Sequence, residues 1–239
     1  MAMNNKFSQL AMTVGVVGVI AWSFLGGSAA AEKAVRLPPP AVDTPATAPA
    51  ARETAVFAGG CFWGVQGIFQ RVKGVNNAVS GYAGGEAKTA RYDRVGSGQT
   101  GHAESVRITY DPQQVSYGKL LQIYFSVAHD PTELNRQGPD TGPQYRSTVF
   151  AENIEQARVA RDYIVQLNQA KTFGKPLATT IETSKPFYAA EAYHQDFLTL
   201  HPDHGYIVIN DLPKVEDLKK LFPESYKAVP SLVNVAKGG

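Results

Sequence analysis

The stretch from Thr54 to Val72 constrains the fold more than any other part of the chain. Thr54-Ala55-Val56-Phe57-Ala58 is a short apolar run of the kind that fills a buried strand. Val65, Ile68, Phe69 and Val72 then recur every three to four residues, the period of a helix buried on one face. Between them lies Gly59-Gly60-Cys61-Phe62-Trp63-Gly64. A strand therefore turns directly into a helix, and Cys61 sits at or near that helix's N-terminus. Unpaired N–H groups and the helix dipole favour an anion there by about 0.3–1 kcal/mol when exposed. That predicts a lowered pKa and a reactive thiolate. Two glycines before the thiol let a substrate approach the backbone closely, and Phe62 and Trp63 can wall a small apolar pocket. A buried structural cysteine is the plain alternative, but a Gly-Gly turn is a poor way to bury a thiol.

Cys61 is the only cysteine in 239 residues. No intramolecular disulfide can form, and a cysteine-based zinc or iron–sulfur site, which needs several thiolates, is excluded. The five histidines show no metal-ligand spacing; His201 and His204 flank Pro202 and read as a loop. No metal and no cofactor is expected. A net charge of +2 without basic clusters argues against nucleic acid as a partner.

Residues 1–31 have the layout of a secretory signal peptide: a lysine near the start, an apolar run Leu10–Leu25, and small residues Ser28–Ala31 before Glu32. An uncleaved N-terminal anchor is the alternative; both export the rest of the chain, with a periplasmic location expected. Residues 32–52, with Pro38-Pro39-Pro40, Pro45 and Pro49 among alanines, read as a semi-extended tether. The folded domain is expected over 53–227, and residues 228–239 as a flexible tail.

Within the domain, strands are expected at Thr54–Ala58, Asn76–Ala83, His102–Tyr110, Ser147–Ala151 and Ala178–Thr183. Helices are expected from Cys61, from Ser116 to Ala128, over Asn153–Ala170, and over Ala189–Leu200. Ile154, Ala157, Ala160, Ile164 and Leu167 are the expected inward face of the third helix. The order strand, helix, strand, strand, helix, strand is the split βαβ order of an α+β two-layer sandwich with a ferredoxin-like core, with additional helices toward the C-terminus. Loops Gly84–Gly101 and His129–Arg146 are long enough to be site builders.

On the third strand His102, Glu104, Val106, Ile108 and Tyr110 share one face, the one expected to be buried. A carboxyl at the rim of an apolar layer has a raised pKa and can serve as an acid near neutrality. A strand-end glutamate paired with Arg107 is the equal alternative. The loops add Tyr82, Tyr92, Asp140 and Tyr145; Arg146 reads as a structural ion pair before a substrate clamp.

Seven blocks in order resemble the A class of the peptide methionine sulfoxide reductase family. They are Gly60-Cys-Phe-Trp-Gly64, Gly81-Tyr-Ala-Gly-Gly85, Ser97-Gly-Gln-Thr-Gly-His-Ala-Glu104, His129-Asp-Pro131, Gln137-Gly-Pro-Asp140, Gln144-Tyr-Arg-Ser147 and Tyr193-His-Gln195. The resemblance covers about Thr54 to Leu200. It implies reduction of the S epimer of methionine sulfoxide, free and in oxidised proteins and peptides, by a monomer. Cys61 would attack the sulfoxide sulfur, and a protonated Glu104 would hydrogen-bond the oxygen and donate to it. Tyr92 and Tyr145 would assist at that oxygen, Phe62 and Trp63 would hold the ε-methyl group, and Asp140 and His194 would contact substrate. The product would be methionine and a sulfenic acid on Cys61.

Many members of that family carry one or two resolving cysteines near the C-terminus, forming a disulfide that thioredoxin reduces; the tail Leu218–Gly239 has none. The implied reductant is therefore an external thiol, either a thioredoxin-type protein or a small thiol. Phe197 stands where some members have tyrosine. Two other functional readings remain at this level: a cysteine hydrolase, with His102 or His194 as base, and a non-catalytic binder of oxidised methionine peptides.

Overall fold

The computed structural model describes residues 34–45 and 52–233; the signal-peptide reading of 1–31 lies outside them. In chain order the strands are β1 (Glu53–Ala58), β2 (Val75–Ala83), β3 (Ala103–Tyr110), β4 (Arg136–Gln137), β5 (Asp140–Thr141), β6 (Thr148–Ala151), β7 (Thr180–Thr183) and β8 (Phe187–Ala189). The helices are α1 (Phe62–Phe69), α2 (Tyr92–Val95), α3 (Tyr117–Ile123), α4 (Ile154–Ala170), α5 (Phe197–Leu200) and α6 (Leu212–Leu221). The main sheet runs β7-β6-β1-β3-β2-β8. Its central four strands, β6-β1-β3-β2, are antiparallel at every joint, with β3 inserted between β1 and β2. That is the split βαβ core expected from the element order. β7 joins β6 in parallel, a pairing that requires a crossover, and α4 supplies it.

Alternation along the strands sorts the two faces. Ala55 and Phe57 of β1 and Val106, Ile108 and Tyr110 of β3 enter the main core, together with Val65, Ile68 and Phe69 of α1. Val56, Ala58, Ala83, Ala103 and Phe150 form a much smaller cluster on the opposite face. The Phe57 ring anchors the main core, 4.9 Å from Tyr124 and 5.7 Å from Phe69. The Tyr124 hydroxyl donates to the Ala58 carbonyl at 2.6 Å, which ties the end of β1 to the helical layer just before the glycines.

Four expectations change. Ala189–Leu200 is not one helix. The Gln195 amide is buried against β2, accepting from Ser80 N at 3.0 Å and donating to Ser80 O at 2.9 Å, and Asp196 takes φ +60°. Extended backbone at Gln195 and left-handed backbone at Asp196 are incompatible with a continuous helix, so the segment is β8, a single turn at Ala192–His194, and α5. In α4, Ile154 at the first position is exposed, while Val159 and Tyr163 join Ala157, Ala160 and Leu167 inside. The third correction concerns residues 34–45, which do not hang free as a tether. Leu37 is buried in the main core, the Tyr163 hydroxyl donates to Pro38 O at 2.7 Å, and Gln122 donates to Leu37 O at 2.6 Å. Past Lys227 the chain is also docked: Ser231 N donates to Gln70 O at 2.9 Å and Val233 N to Asp196 at 3.1 Å.

Asp43 shows what this docking contributes. Its carboxylate accepts from Gly118 N at 2.7 Å and from the Ser116 hydroxyl, at the N-terminus of α3, while Ser116 itself caps Lys119 N. A Cβ on Gly118 would meet that carboxylate at 2.6 Å, so the glycine is what admits Asp43. Asp43→Ala should lower unfolding stability by about 0.5–2 kcal/mol, the range for losing a helix N-terminal carboxylate, and Gly118→Ala should do at least as much. Urea titration checks this, and an unchanged midpoint in both variants would mean the segment adds nothing to stability.

Candidate active site

Cys61 is the N-cap residue of α1, with φ −57° and ψ 125°. Gly60 before it takes φ +84°, and a Cβ there would run into Gln137 at 2.6 Å, so only glycine fits this turn. Glu104, the second residue of β3, comes to the same point. It is buried, and its Oε2 accepts from Phe62 N–H at 3.0 Å. The alternative of a pairing with Arg107 is not realised; that guanidinium lies on the other face, 4.7 Å over the Phe187 ring.

The electrostatics depart from expectation at the thiol. Burial pushes the Cys61 thiol well above its ordinary value, and the neighbouring carboxyls of Glu104 and Asp211 add to this. The Trp63 N–H bonded to the sulfur pulls the other way and is outweighed. The helix N-terminus is where the sequence placed it, but its modest pull loses to desolvation. Glu104 follows expectation: burial raises it to about 8, against the opposing bond from Phe62 N–H. Near neutrality both groups keep their protons.

The two long loops bring the phenols in. Tyr92 opens α2, and its backbone N–H donates to Glu191 at 3.0 Å. Tyr145 ends a single turn, Pro143–Tyr145. Burial raises the pKa of both, and Cys61 and Glu104 are among the groups acting on each. They are phenols that hold their protons beside Cys61. Asp140 lies on β5 and accepts from the Tyr206 hydroxyl; burial raises its pKa and that bond opposes the rise.

The aromatic wall is layered. Phe62 is fully buried, its ring 5.9 Å from Tyr82 and 5.0 Å from His194. Trp63 is half-buried. Its indole N–H donates to His194 Nδ1 at 3.2 Å, and its ring stacks on Phe197 at 3.8 Å with 9° between planes. His194 is buried with its ring 4.4 Å from Tyr92, so it joins Trp63 to Tyr92. Tyr82 is excluded from the site, since its hydroxyl is held by Glu191 at 2.8 Å. Arg146 makes the structural pair expected of it, with Glu182 at 2.9 Å.

Tyr206, Glu191 and Asp211 complete the surroundings, and the sequence patterns do not single them out. Tyr206 stands edge-on to Trp63 at 5.9 Å as well as bonding Asp140. Asp211 packs against Gly64, one turn below the thiol. No local pattern marks any of them, because each acts only through contacts made across the fold.

No imidazole serves the thiol. His102 bonds Gly85 N and Glu86 O, His194 accepts from Trp63, and His129 is held neutral by burial, pushed down to about 3 and bonded to Ser147. Among the described residues no cluster of three histidine, cysteine or acidic side chains could hold a metal ion.

Comparison with known proteins gives a consistent picture. The family model described as peptide methionine sulfoxide reductase matches residues 53–226. Peptide methionine sulfoxide reductase MsrA 2 of Mesorhizobium japonicum is 66% identical over 181 residues, covering 76% of this chain and 93% of the relative. A protein of the same name from Synechocystis is 50% identical over 194 residues, 80% and 91% of the two chains. Among solved structures, reduced Mxr1 from Saccharomyces cerevisiae superposes with a TM-score of 0.60 at 32% identity, covering 68% of this chain and 93% of that one.

The buried thiol makes a specific expectation. Cys61 in the resting protein should alkylate with iodoacetamide more slowly near neutrality than a free thiol does, with the rate still rising at pH values where a free thiol has levelled off. Glu104→Gln removes a carboxylate that disfavours the thiolate once it ionises, and should speed alkylation above about pH 8 while changing it little near neutrality. Alkylation as fast as a free thiol's near neutrality would reverse the assigned direction.

Proposed function

The chain belongs to the peptide methionine sulfoxide reductase family, and we propose that it reduces the S epimer of methionine sulfoxide, free and in oxidised proteins and peptides, to methionine. The observation that carries this reading is the neutral carboxyl of Glu104, held by Phe62 N–H beside the chain's only thiol. A sulfoxide S–O bond resists attack until its oxygen is protonated or strongly hydrogen-bonded, because charge develops there. Glu104, Tyr92 and Tyr145 all hold protons and converge on that need.

In the reaction the Cys61 sulfur attacks the sulfoxide sulfur as Glu104 gives its proton to the oxygen. The proton lost from the thiol replaces it on Glu104. The oxygen ends on Cys61 as a sulfenic acid, and methionine leaves. The ε-methyl group rests on Trp63, with Phe62 beneath and His194 fixing the indole. Asp140, oriented by Tyr206, meets the substrate backbone. A hydrolase reading has no support, since a cysteine hydrolase needs a base bonded to the thiol.

The sulfenic acid is returned to thiol by an external thiol, because the chain carries no second cysteine. The protein works as a monomer outside the cytoplasm, in the periplasm; the apolar run Leu10–Leu25 with Ser28–Ala31 after it supports export.

Assay of the two pure epimers should show turnover of S alone, and turnover of R alone or of both equally would remove the assignment. Cys61→Ser should abolish reduction and leave the fold intact. Glu104→Ala should slow the single-turnover rate by about 10²–10³, with Glu104→Gln less affected because an amide still donates a hydrogen bond. The sign of the pH dependence comes from a raised carboxyl pKa. The proton-bearing form is complete well below about 8 and is lost as pH rises through it. The wild-type single-turnover rate should therefore carry a falling limb near that pH, and Glu104→Gln should lack it.

A further inference from the structure

A cavity of about 250 Å³ reaches Cys61; it shares Asp140 and Tyr206 with the substrate site but does not touch Phe62, Trp63, Tyr92, Glu104, Tyr145 or His194. It lies between the wide turn that ends α3, at Phe125–Val127, and the chain entering α6. Its charged side chains are of both signs. Lys214 and Asp217 stand one turn apart on α6, both half-buried, and Asp130 and Asp140 belong to the loop after α3. The surroundings of Cys61 thus extend two ways from Asp140 and Tyr206, toward the aromatic and proton-holding groups on one side and toward Lys214, Asp217 and Asp130 on the other.

Reduction of a sulfoxide, the reading on which this proposal rests, leaves Cys61 as a sulfenic acid with no thiol in the chain to meet it. We propose that this cavity admits the reducing thiol, and that the thiol is a small zwitterionic aminothiol. Its carboxylate pairs with Lys214 and its ammonium with the carboxylates of Asp217 and Asp130. The excess of carboxylates over cations makes the ammonium the more strongly held end. The volume suits a small molecule and is too small for a folded protein, which would have to reach Cys61 from the open aromatic side.

The aminothiol's thiolate attacks the Cys61 sulfur, an S–S bond forms as the S–O bond breaks, and the oxygen leaves as water after taking a proton. A second molecule of the same thiol attacks the aminothiol sulfur of this mixed disulfide. The S–S bond breaks, Cys61 leaves as thiolate and regains its proton, and the aminothiol departs as its own disulfide. Two thiols are oxidised to one disulfide while the sulfenic acid is reduced to thiol and water.

The test uses the whole protein and separates the two half-reactions. One equivalent of methionine sulfoxide is added without thiol; released methionine and dimedone-trapped sulfenic acid are measured. Decay of the sulfenic acid is then monitored with cysteine, cysteamine, mercaptopropionate or mercaptoethanol, compared at equal thiolate concentrations below saturation. Cysteine should be fastest, by about tenfold over mercaptoethanol, the effect of one 1.4 kcal/mol interaction. Lys214→Gln should slow cysteine and mercaptopropionate but not cysteamine or mercaptoethanol, and Lys214→Arg should restore both. Asp217→Asn should slow cysteine and cysteamine only. Methionine yield in the first step should be unchanged in all three variants. Equal rates for the four thiols, equal slowing of all four by a variant, or faster resolution by a thioredoxin-type protein at a lower concentration would overturn the inference. Absence of methionine and sulfenic acid in the first step would instead overturn the reductase reading.

Discussion

The hydrogen bond from Phe62 N–H to Glu104 joins the two parts on which the site depends. It runs from the first residue of α1 to the second residue of β3, so the thiol at the helix N-terminus and the carboxyl at the strand end have one fixed relation. The bond also sets a limit. An N–H donor favours the carboxylate, and if it dominated, Glu104 would be charged and useless as an acid. Burial wins and brings the carboxyl to about 8. At roughly 1.4 kcal/mol per pKa unit, the surroundings disfavour the charge by several kcal/mol, more than one N–H donor returns. The donor therefore orients the group without ionising it.

The same balance governs Cys61. A thiolate beside a carboxylate in a dry site would be doubly costly, so a neutral Glu104 is a condition for forming the thiolate at all. Thiolate with neutral carboxyl, and thiol with carboxylate, differ only in where one proton sits. The pair carries the proton the sulfoxide oxygen needs and the electron pair the sulfoxide sulfur needs, and it holds them apart until substrate arrives.

How much of this is legible from sequence depends on distance along the chain. The strand-to-helix turn, the buried face of β3 with Glu104 on it, the Ser116 cap and the split βαβ order all arise from patterns a few residues long, and they hold. The direction of the thiol's shift cannot be read locally. The favourable contribution comes from residue 63, but the opposing carboxyls are at 104, 140 and 211. Residues 189–200 depart from a single helix for a similar reason, since Gln195 finds its partners on β2 more than a hundred residues earlier. Residues 34–45 could not fold by composition alone; side chains of α3 and α4 donate to their carbonyls, and the N-terminus of α3 receives Asp43.

The missing second cysteine changes what the architecture around Cys61 has to accomplish. A chain with an internal resolving thiol can close over its oxidised cysteine and expose the resulting disulfide elsewhere. Here the oxidised sulfur itself must be met by an outside molecule. Cys61 is only half-buried, and the glycine turn before it lets the side chains of His129 and Gln137 pack directly against the backbone. The wide turns at Tyr124–Ala128 and Ile207–Asp211 hold α3 and α6 so that space remains between them. The partial exposure of Cys61 leaves a path to its sulfur, while the burial of Glu104 keeps the acid neutral. The half-buried position satisfies both demands: dry enough on the β3 side to keep an acid neutral, open enough on the α6 side for a second reactant.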